Sequence, residues 1–357
     1  MKIAFINIYQ GKVERGAETF VMEVAHRLFL KHQVVVFQPR KAVGEEKYTV
    51  KRISIYLNWK IKDSSGTLLR RFFLDYWSVK IFIFTLKTLA SIYKEKYDIV
   101  IPLNGGWQPA LIRLVTWLYG GRMVIAGQSG IGWDDRNNLW SFPDRFVALS
   151  TFAKNWAKKV NPFVEAEYIP NGVDLNKFLP KGKRLKTNLK RPIVLCVAAL
   201  TKTKRVNLAI EAVAKLPNVS LLVIGDGNLR DEIRHLGKEK LGNKFELIKL
   251  NYKEIPKVYR TADIFTIPSE SYYSFEIVLT EAMATNLSVV ANDDPIRKEI
   301  VGDAGMLVNP ADVDKYSEEI NKALNTRWGK IPREQATKFS WDLVAIKYDK
   351  LFRKITK

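Results

Sequence analysis

The sequence predicts an α/β protein of two domains, each built on a parallel sheet with helices on both faces. Three observations carry this expectation. The chain has 357 residues, more than one hydrophobic core of ordinary size organises. Short continuous apolar runs alternate with helical patterns in both halves, as expected of strands buried on both faces. A polar, lysine-rich stretch at 180–192 interrupts the alternation and reads as a linker.

In the first half, a strand at 3–8 runs into a loop through Gly16, then a helix at about 17–30 and a strand at 34–37. Further strands fall at 99–101, 123–126 and 145–149. The first turn is not a dinucleotide fingerprint, because Gly11 and Gly16 lack the G-x-G-x-x-G spacing. After the linker come strand 193–199, helix 206–215, strand 219–224, helix 228–241 and strand 245–250. A short helix near 254–261, strand 263–267, helix 277–285 and strand 287–291 follow. The expected domains are therefore 1–180 and 193–340, with 181–192 between them and 341–357 as a terminal segment. Ligands in such folds sit beyond the C-terminal ends of strands, in the crevice between domains.

Composition narrows the function classes. Apolar residues at 47% and charged residues at 27% describe a globular chain. The one cysteine, Cys196, lies in an apolar run and excludes a disulfide scaffold. Lys and Arg number 58 against 37 acids, a net charge of +21. Residues 1–180 hold 26 basic and 15 acidic groups and the remainder 32 and 22, so the excess is even, +11 and +10. A diffuse excess attracts polyanions, anionic lipid included, without specifying nucleic acid. The N-terminus reads as a first strand and not an export signal, so residence in the cytoplasm is expected.

Residues 72–93 approach membrane-spanning length, but Asp75, Lys80 and Lys87 interrupt them. A long amphipathic helix is expected. It either packs on its own sheet or offers an aromatic, basic edge to an anionic membrane surface, with Arg70, Arg71 and Lys80 at the head groups.

Three strand-to-helix loops in the second half carry chemistry. Lys202, Lys204 and Arg205 stand at the mouth of strand 193–199, where cations neutralise a departing diphosphate or simply form a solvated turn. Gly225-Asp226-Gly227 forms a compact turn that gives a ligand close approach, with Asp226 as a helix cap. In the third loop, 268–276, the amides around Phe275, Glu276, Ile277 and Val278 head a helix and suit phosphate. Glu281, a turn further on, suits a vicinal diol because two carboxylate oxygens meet two hydroxyls. The first half contributes Gly16, Ala17, Gln128 and, near the domain boundary, Asn171. The three histidines, His26, His32 and His235, are scattered and support neither a zinc site nor a triad. Asp134-Asp135 and Asp293-Asp294 read as turn residues ahead of metal ligands, and no metal is expected.

In order and spacing these motifs resemble the retaining GT-B glycosyltransferases of family 4. The likeness rests on 16–19, on 169–174 with Phe178, and on Lys204 before a helix. It continues through 225–227, 262–265 with Pro268-Ser269, 281–284 and 339–341. It implies two Rossmann-like domains facing across a cleft, with 341–357 crossing back to the first. It also implies a nucleoside-diphosphate sugar as donor, no cofactor, and a glycan or lipid-linked acceptor bound by the first domain. By that likeness Lys204 contacts the diphosphate, Glu281 the ribose, and Gly16 the phosphate side. The chain departs from the pattern in four places: Ala199 replaces an arginine, Gln128 a histidine, Tyr273 the first glutamate and Glu276 a glycine. Glu276 or Glu270 then has to supply the sugar-facing carboxylate, with Tyr273 and Ser274 beside it. The expected activity is hexose transfer to a hydroxyl of a polysaccharide, glycolipid or similar acceptor at the inner face of the cell membrane. The alternative is a noncatalytic carbohydrate-binding or assembly protein with a degenerate site.

Overall fold

The computed structural model describes residues 1–11, 16–41, 46–59, 61, 68–272 and 274–357. The chain divides into two compact units, Met1–Asn171 with Trp341–Lys357, and Gly172–Ser340.

The first unit has seven parallel strands: β1 (Lys2–Ile6), β2 (Gln33–Gln38), β3 (Thr49–Arg52), β4 (Ile99–Pro102), β5 (Arg122–Ala126), β6 (Arg145–Ala148) and β7 (Ala166–Tyr168). Their order is β3-β2-β1-β4-β5-β6-β7, with Ile3 opposite Val34 on one side and Ile99 on the other. Six helices, α1 (Gly16–Leu28), α2 (Leu68–Arg71), α3 (Tyr76–Glu95), α4 (Trp107–Tyr119), α5 (Trp133–Leu139) and α6 (Thr151–Val160), connect them. In α1 the residues Phe20, Val21, Val24, Ala25 and Leu28 recur every three or four positions and are buried together. Asp75 begins α3 by accepting from the Ser78 amide, and Lys96 ends it in a left-handed conformation. Thus the segment that approaches membrane length is a 20-residue helix whose Trp77, Ile81, Phe84, Thr88 and Ile92 face its own unit.

The second unit repeats the design. Its elements run β8 (Ile193–Val197), α7 (Val206–Ala214), β9 (Ser220–Ile224), α8 (Arg230–Leu241), β10 (Phe245–Ile248), α9 (Ile255–Tyr259) and β11 (Ile264–Ile267). Then come α10 (Ile277–Ala284), β12 (Ser288–Asn292), α11 (Pro295–Val301), β13 (Gly305–Val308), α12 (Val313–Asn325) and α13 (Ile331–Thr337). The parallel order is β10-β9-β8-β11-β12-β13. Both units therefore have the Rossmann arrangement, in which strand order reverses beside the first strand.

The last helix, α14 (Trp341–Ile355), packs on the first unit. Phe20 meets Tyr348 at 5.4 Å and Trp341 at 6.5 Å, and His32 bonds Asp349 at 2.8 Å. His32 is thereby buried.

The division falls at Asn171/Gly172, ahead of the polar stretch read as a linker. That stretch lies on the second unit: the Leu185 amide donates to the Thr261 hydroxyl at 2.8 Å, Thr187 to Glu246 at 2.5 Å, and Arg191 pairs with Asp263. Lysine-rich composition marks the exposed side of these residues and says nothing of their backbone bonds. The strands that apolar runs did not mark, β3, β7 and β13, are all sheet edges, short and half exposed.

Tyr348 is fully buried among Phe20 and Phe352. Tyr348→Ala is expected to cost about 3–5 kcal/mol, as for other large aromatic truncations. A thermal unfolding scan that leaves Tm unchanged would contradict the docking of α14.

Candidate functional site

Within the second unit, strand order reverses between β8 and β11, and the loops after these two strands meet. Arg205, with φ 47, ends the β8 loop and donates to the carbonyls of Pro268 and Ser269 at 2.8 and 2.7 Å. It thus braces the β11 loop. Lys204 donates to Glu276 Oε1 at 2.7 Å, and Ser269 Oγ donates to the same oxygen at 2.5 Å. Glu276 Oε2 receives Arg297 at 2.7 Å, and Arg297 also pairs with Asp294 at 3.0 Å. Asp294 in turn caps α11 through the amides of Ile296 and Arg297.

Glu276 stands at the head of α10 with φ 58, a left-handed conformation that favours glycine. A glutamate there carries local backbone strain, and its side chain is 1% exposed. Burial alone raises a carboxyl pKa; the charges of Lys204 and Arg297 outweigh that and hold Glu276 at about 2. The carboxylate is ionised and shared between two cations.

Glu281 is equally buried but differently held. Tyr252 and Tyr259 donate to its two oxygens at 3.0 and 2.8 Å. Burial raises its pKa, opposed by these two hydroxyls and by Lys177. Lys177 lies 3.5 Å over the Tyr252 ring. Glu281 is therefore oriented by phenols, whereas Glu276 is oriented by cations.

Gly225 and Gly227 are required by the neighbouring loop. A Cβ on Gly225 would lie 1.9 Å from the Ala198 carbonyl oxygen, and one on Gly227 2.4 Å from that of Leu200. Asp226 pairs with Lys249 at 2.6 Å, and α8 has no side-chain cap, so the capping expected of Asp226 is not its role. Its carboxylate finds a longer-reaching cation on the next strand's loop. Phe275 is a core residue against Phe339 at 5.6 Å, and Ser274, Ile277 and Val278 are half-buried. Any contact from Phe275 would come through its backbone. Lys202 is exposed, and Tyr273 lies outside the described residues.

The first unit assembles amide side chains around the buried Glu18 carboxyl at its own reversal, between β1 and β4. Asn7 donates to Glu18 at 3.2 Å and receives Asn104 at 3.2 Å, while Asn104 Oδ1 accepts the Ile8 amide at 3.0 Å. Gln108 joins through the Asn104 amide at 2.9 Å and Thr85 at 3.1 Å. Gln128 and Asn171 form a reciprocal amide pair at 3.1 and 2.9 Å, bringing two sequence-predicted residues together. Gly16 is exposed at the head of α1, and Ala17 is half-buried beside it. The sequence reading missed Asn7, Asn104, Ser269, Arg297, Tyr252 and Tyr259. A polar residue closing an apolar strand, as Asn7 and Ser269 do, is the signal that finds some of them.

The adjacent aspartates have partners within the protein. Asp134 pairs with Arg70 at 3.0 Å, Asp293 with Lys298 at 2.8 Å, and Asp294 caps α11. No metal-binding group of side chains occurs among the described residues. Asp135 is buried beside Gly127, whose absent side chain leaves it room. Burial pushes its pKa up to about 8, opposed by an Asn138 hydrogen bond and aided by the Asp134 charge.

Comparison with known proteins agrees with this architecture. Residues 181–340 match the family model for glycosyl transferases group 1. A Mycolicibacterium smegmatis phosphatidyl-myo-inositol mannosyltransferase is 28% identical over 231 residues, 59% of this chain and 57% of its own. A Streptomyces coelicolor exopolysaccharide phosphotransferase is 29% identical over 232 residues, 59% of this chain but only 23% of its own. The chain thus spans less than two thirds of the length of these relatives. Among solved structures, sucrose-phosphate synthase from Thermosynechococcus elongatus has a TM-score of 0.79 at 19% identity, over 99% of this chain and 98% of that one. Two Rossmann-like units with polar loops at both strand-order reversals define the GT-B class. The match to the glycosyl transferases group 1 model covers the second unit, and the likeness to solved structures extends the fold to the whole chain.

Asp135 gives a pH test of the first unit. Below about pH 4 its carboxyl is protonated folded and unfolded; between there and about 8 only the folded form keeps the proton. Its contribution to stability therefore falls as pH rises through that window. Asp135→Asn is expected to flatten the fall, read from denaturant midpoints at pH 5 and pH 8 (about the two ends of the window).

Proposed function

We propose that the protein is a retaining glycosyltransferase that moves a hexose from a nucleoside-diphosphate sugar to a hydroxyl of a polysaccharide, glycolipid or similar acceptor. The observation that carries this reading is the meeting of Lys204, the α10 head and Glu281 at the strand-order reversal of the second unit. Cations and free amides at a strand end suit a diphosphate, and a carboxylate one turn on suits ribose hydroxyls. A relative named for transfer of mannose to phosphatidyl-myo-inositol supports a lipid-linked acceptor.

Lys204 takes the charge that develops on the leaving diphosphate, together with the Ile277 and Val278 amides. The diphosphate oxygen then accepts the proton of the attacking hydroxyl on the same face of the sugar, which gives retention without a protein base. Gln128 orients a hydroxyl and cannot serve as that base. Because the Glu276 side chain is almost wholly buried, we assign it the positioning of Lys204 and Arg297, not sugar contact.

A calorimetric screen of uridine and guanosine diphosphate sugars is expected to find a donor that is slowly hydrolysed. Lys204→Ala should then lower turnover about 100-fold, in line with loss of one charge-stabilising donor. Glu276→Asp keeps the charge but withdraws it by one methylene. It should lower kcat with little change in Tm, whereas Glu276→Gln should lower both. No binding and no hydrolysis of any donor by the folded protein would favour a noncatalytic carbohydrate-binding role.

A further inference from the structure

Helices α2, α3 and α4 of the first unit carry large apolar side chains on their outer faces. In α4 the buried side is Gln108, Pro109, Ile112, Val115 and Thr116. The exposed side is Trp107, Leu114, Trp117 and Leu118, with Trp117 74% and Leu118 67% accessible. Such spacing puts one apolar stripe toward solvent, the reverse of an ordinary surface helix. The neighbouring α3 does the same with Val79, Leu86 and Tyr93. The two helices lie side by side: Gln108 bonds Thr85 at 3.1 Å, and Tyr93 meets Tyr119 at 6.4 Å. At their other ends Phe73 meets Trp107 at 6.4 Å, and exposed Leu68, Leu69 and Phe72 of and after α2 extend the stripe there. A continuous apolar surface on this scale marks a docking site.

Its charges say what docks. Arg71 of α2 and Lys80, Lys87 and Lys94 of α3 carry the positive charge of this face; Arg70 pairs with Asp134 at 3.0 Å, Arg113 with Asp144 at 2.6 Å, and Glu95, the one carboxylate within these helices, with Lys51. Lys80 sits over the rings of Tyr56 and Tyr76 at 5.8 and 5.4 Å, and Arg113 over Trp117 at 5.6 Å. Aliphatic stems along apolar surface with cationic heads beside it are the pattern of an interfacial helix. A second copy of the chain would bring the same Arg71 and α3 lysines against this one, an unfavourable meeting of like charges. No described helix is long and apolar enough to cross a membrane, so insertion would be shallow.

We propose that the outer face of α2, α3 and α4 docks on an anionic lipid bilayer, with Trp107, Leu114, Trp117 and Leu118 at the acyl boundary and the lysines and arginines at the head groups. The face is distinct from the loops at the strand-order reversals, and the proposal stands apart from the glycosyl-transfer reading.

Vesicles of phosphatidylcholine, alone or mixed with phosphatidylglycerol, test it by co-sedimentation of the full chain. Binding is expected to the mixed vesicles and to fall as salt rises. The double variant Lys87→Glu, Lys94→Glu should lower the partition coefficient about fivefold or more per lysine. Trp117→Ser with Leu118→Ser should lower it about tenfold or more, with Tm unchanged because both side chains are exposed. Donor hydrolysis without vesicles should match the unmodified chain in every variant, so a failure of docking and a failure of the transfer reading are separately visible. Equal partition of all variants would overturn the proposal. So would a dimer in sedimentation velocity that Trp117→Ser dissolves, which would show that a second copy covers the face.

Discussion

One buried carboxylate holds together three connections of the second unit. Glu276 heads α10, and it accepts from Lys204 after β8, from Ser269 after β11, and from Arg297 in the helix after β12. An isolated charge at this depth would be strongly unfavourable, and two cations with a hydroxyl offset that cost. The arrangement is reciprocal, since Arg297 and Lys204 are buried or half-buried and would be left under-neutralised without Glu276. Such a cluster adds little net stability compared with apolar packing of equal volume, so its value lies in fixing geometry. Its residues come from positions 204, 269, 276 and 297, so the loop geometry and the ion pairs must form together.

The two units use one topology for different chemistry. In both, strand order reverses next to the first strand and opens a space where loops converge. The second unit fills its space with ionised groups. The first fills its own mostly with amides, Asn7, Asn104 and Gln108 around the single carboxyl of Glu18, and adds the Gln128–Asn171 pair at the end of β5. Amides orient hydroxyls through directed donors and acceptors without contributing charge. Ionised groups stabilise charge that develops at a leaving group.

Much of the fold was legible because buried parallel strands write themselves as apolar runs. Residues 193–199, 219–224 and 263–267 are such runs, and β8, β9 and β11 lie within them. Edge strands escaped because burial on one side only leaves mixed sequences such as Thr49–Arg52 and Ala166–Tyr168. At the site, the identities of Lys204, Glu276 and Glu281 were legible from local motifs. Their partners were not, since Arg297 is 21 residues from Glu276 and Tyr252 is 29 from Glu281. A glutamate at a left-handed position was visible only as a departure from an expected glycine. Its meaning required the cations that face it.

Net charge shows the same limit from another side. Counting gives the halves of the chain nearly equal excesses, +11 and +10. The structure spends them differently. In the second unit the cations near the strand-order reversal are matched by Glu276 and Asp294, at distances where salt has little access. On α2 and α3, Arg71, Lys80, Lys87 and Lys94 stand at the rim of an apolar face, whereas Arg70 and Arg113 are paired with Asp134 and Asp144. Exposed charges are screened beyond about 8 Å at physiological ionic strength, whereas buried pairs are screened far less. Equal formal charge therefore yields one cluster whose strength is set by geometry and one surface whose strength is set by the medium. A count cannot separate them, because it is blind to which charges have already found a partner.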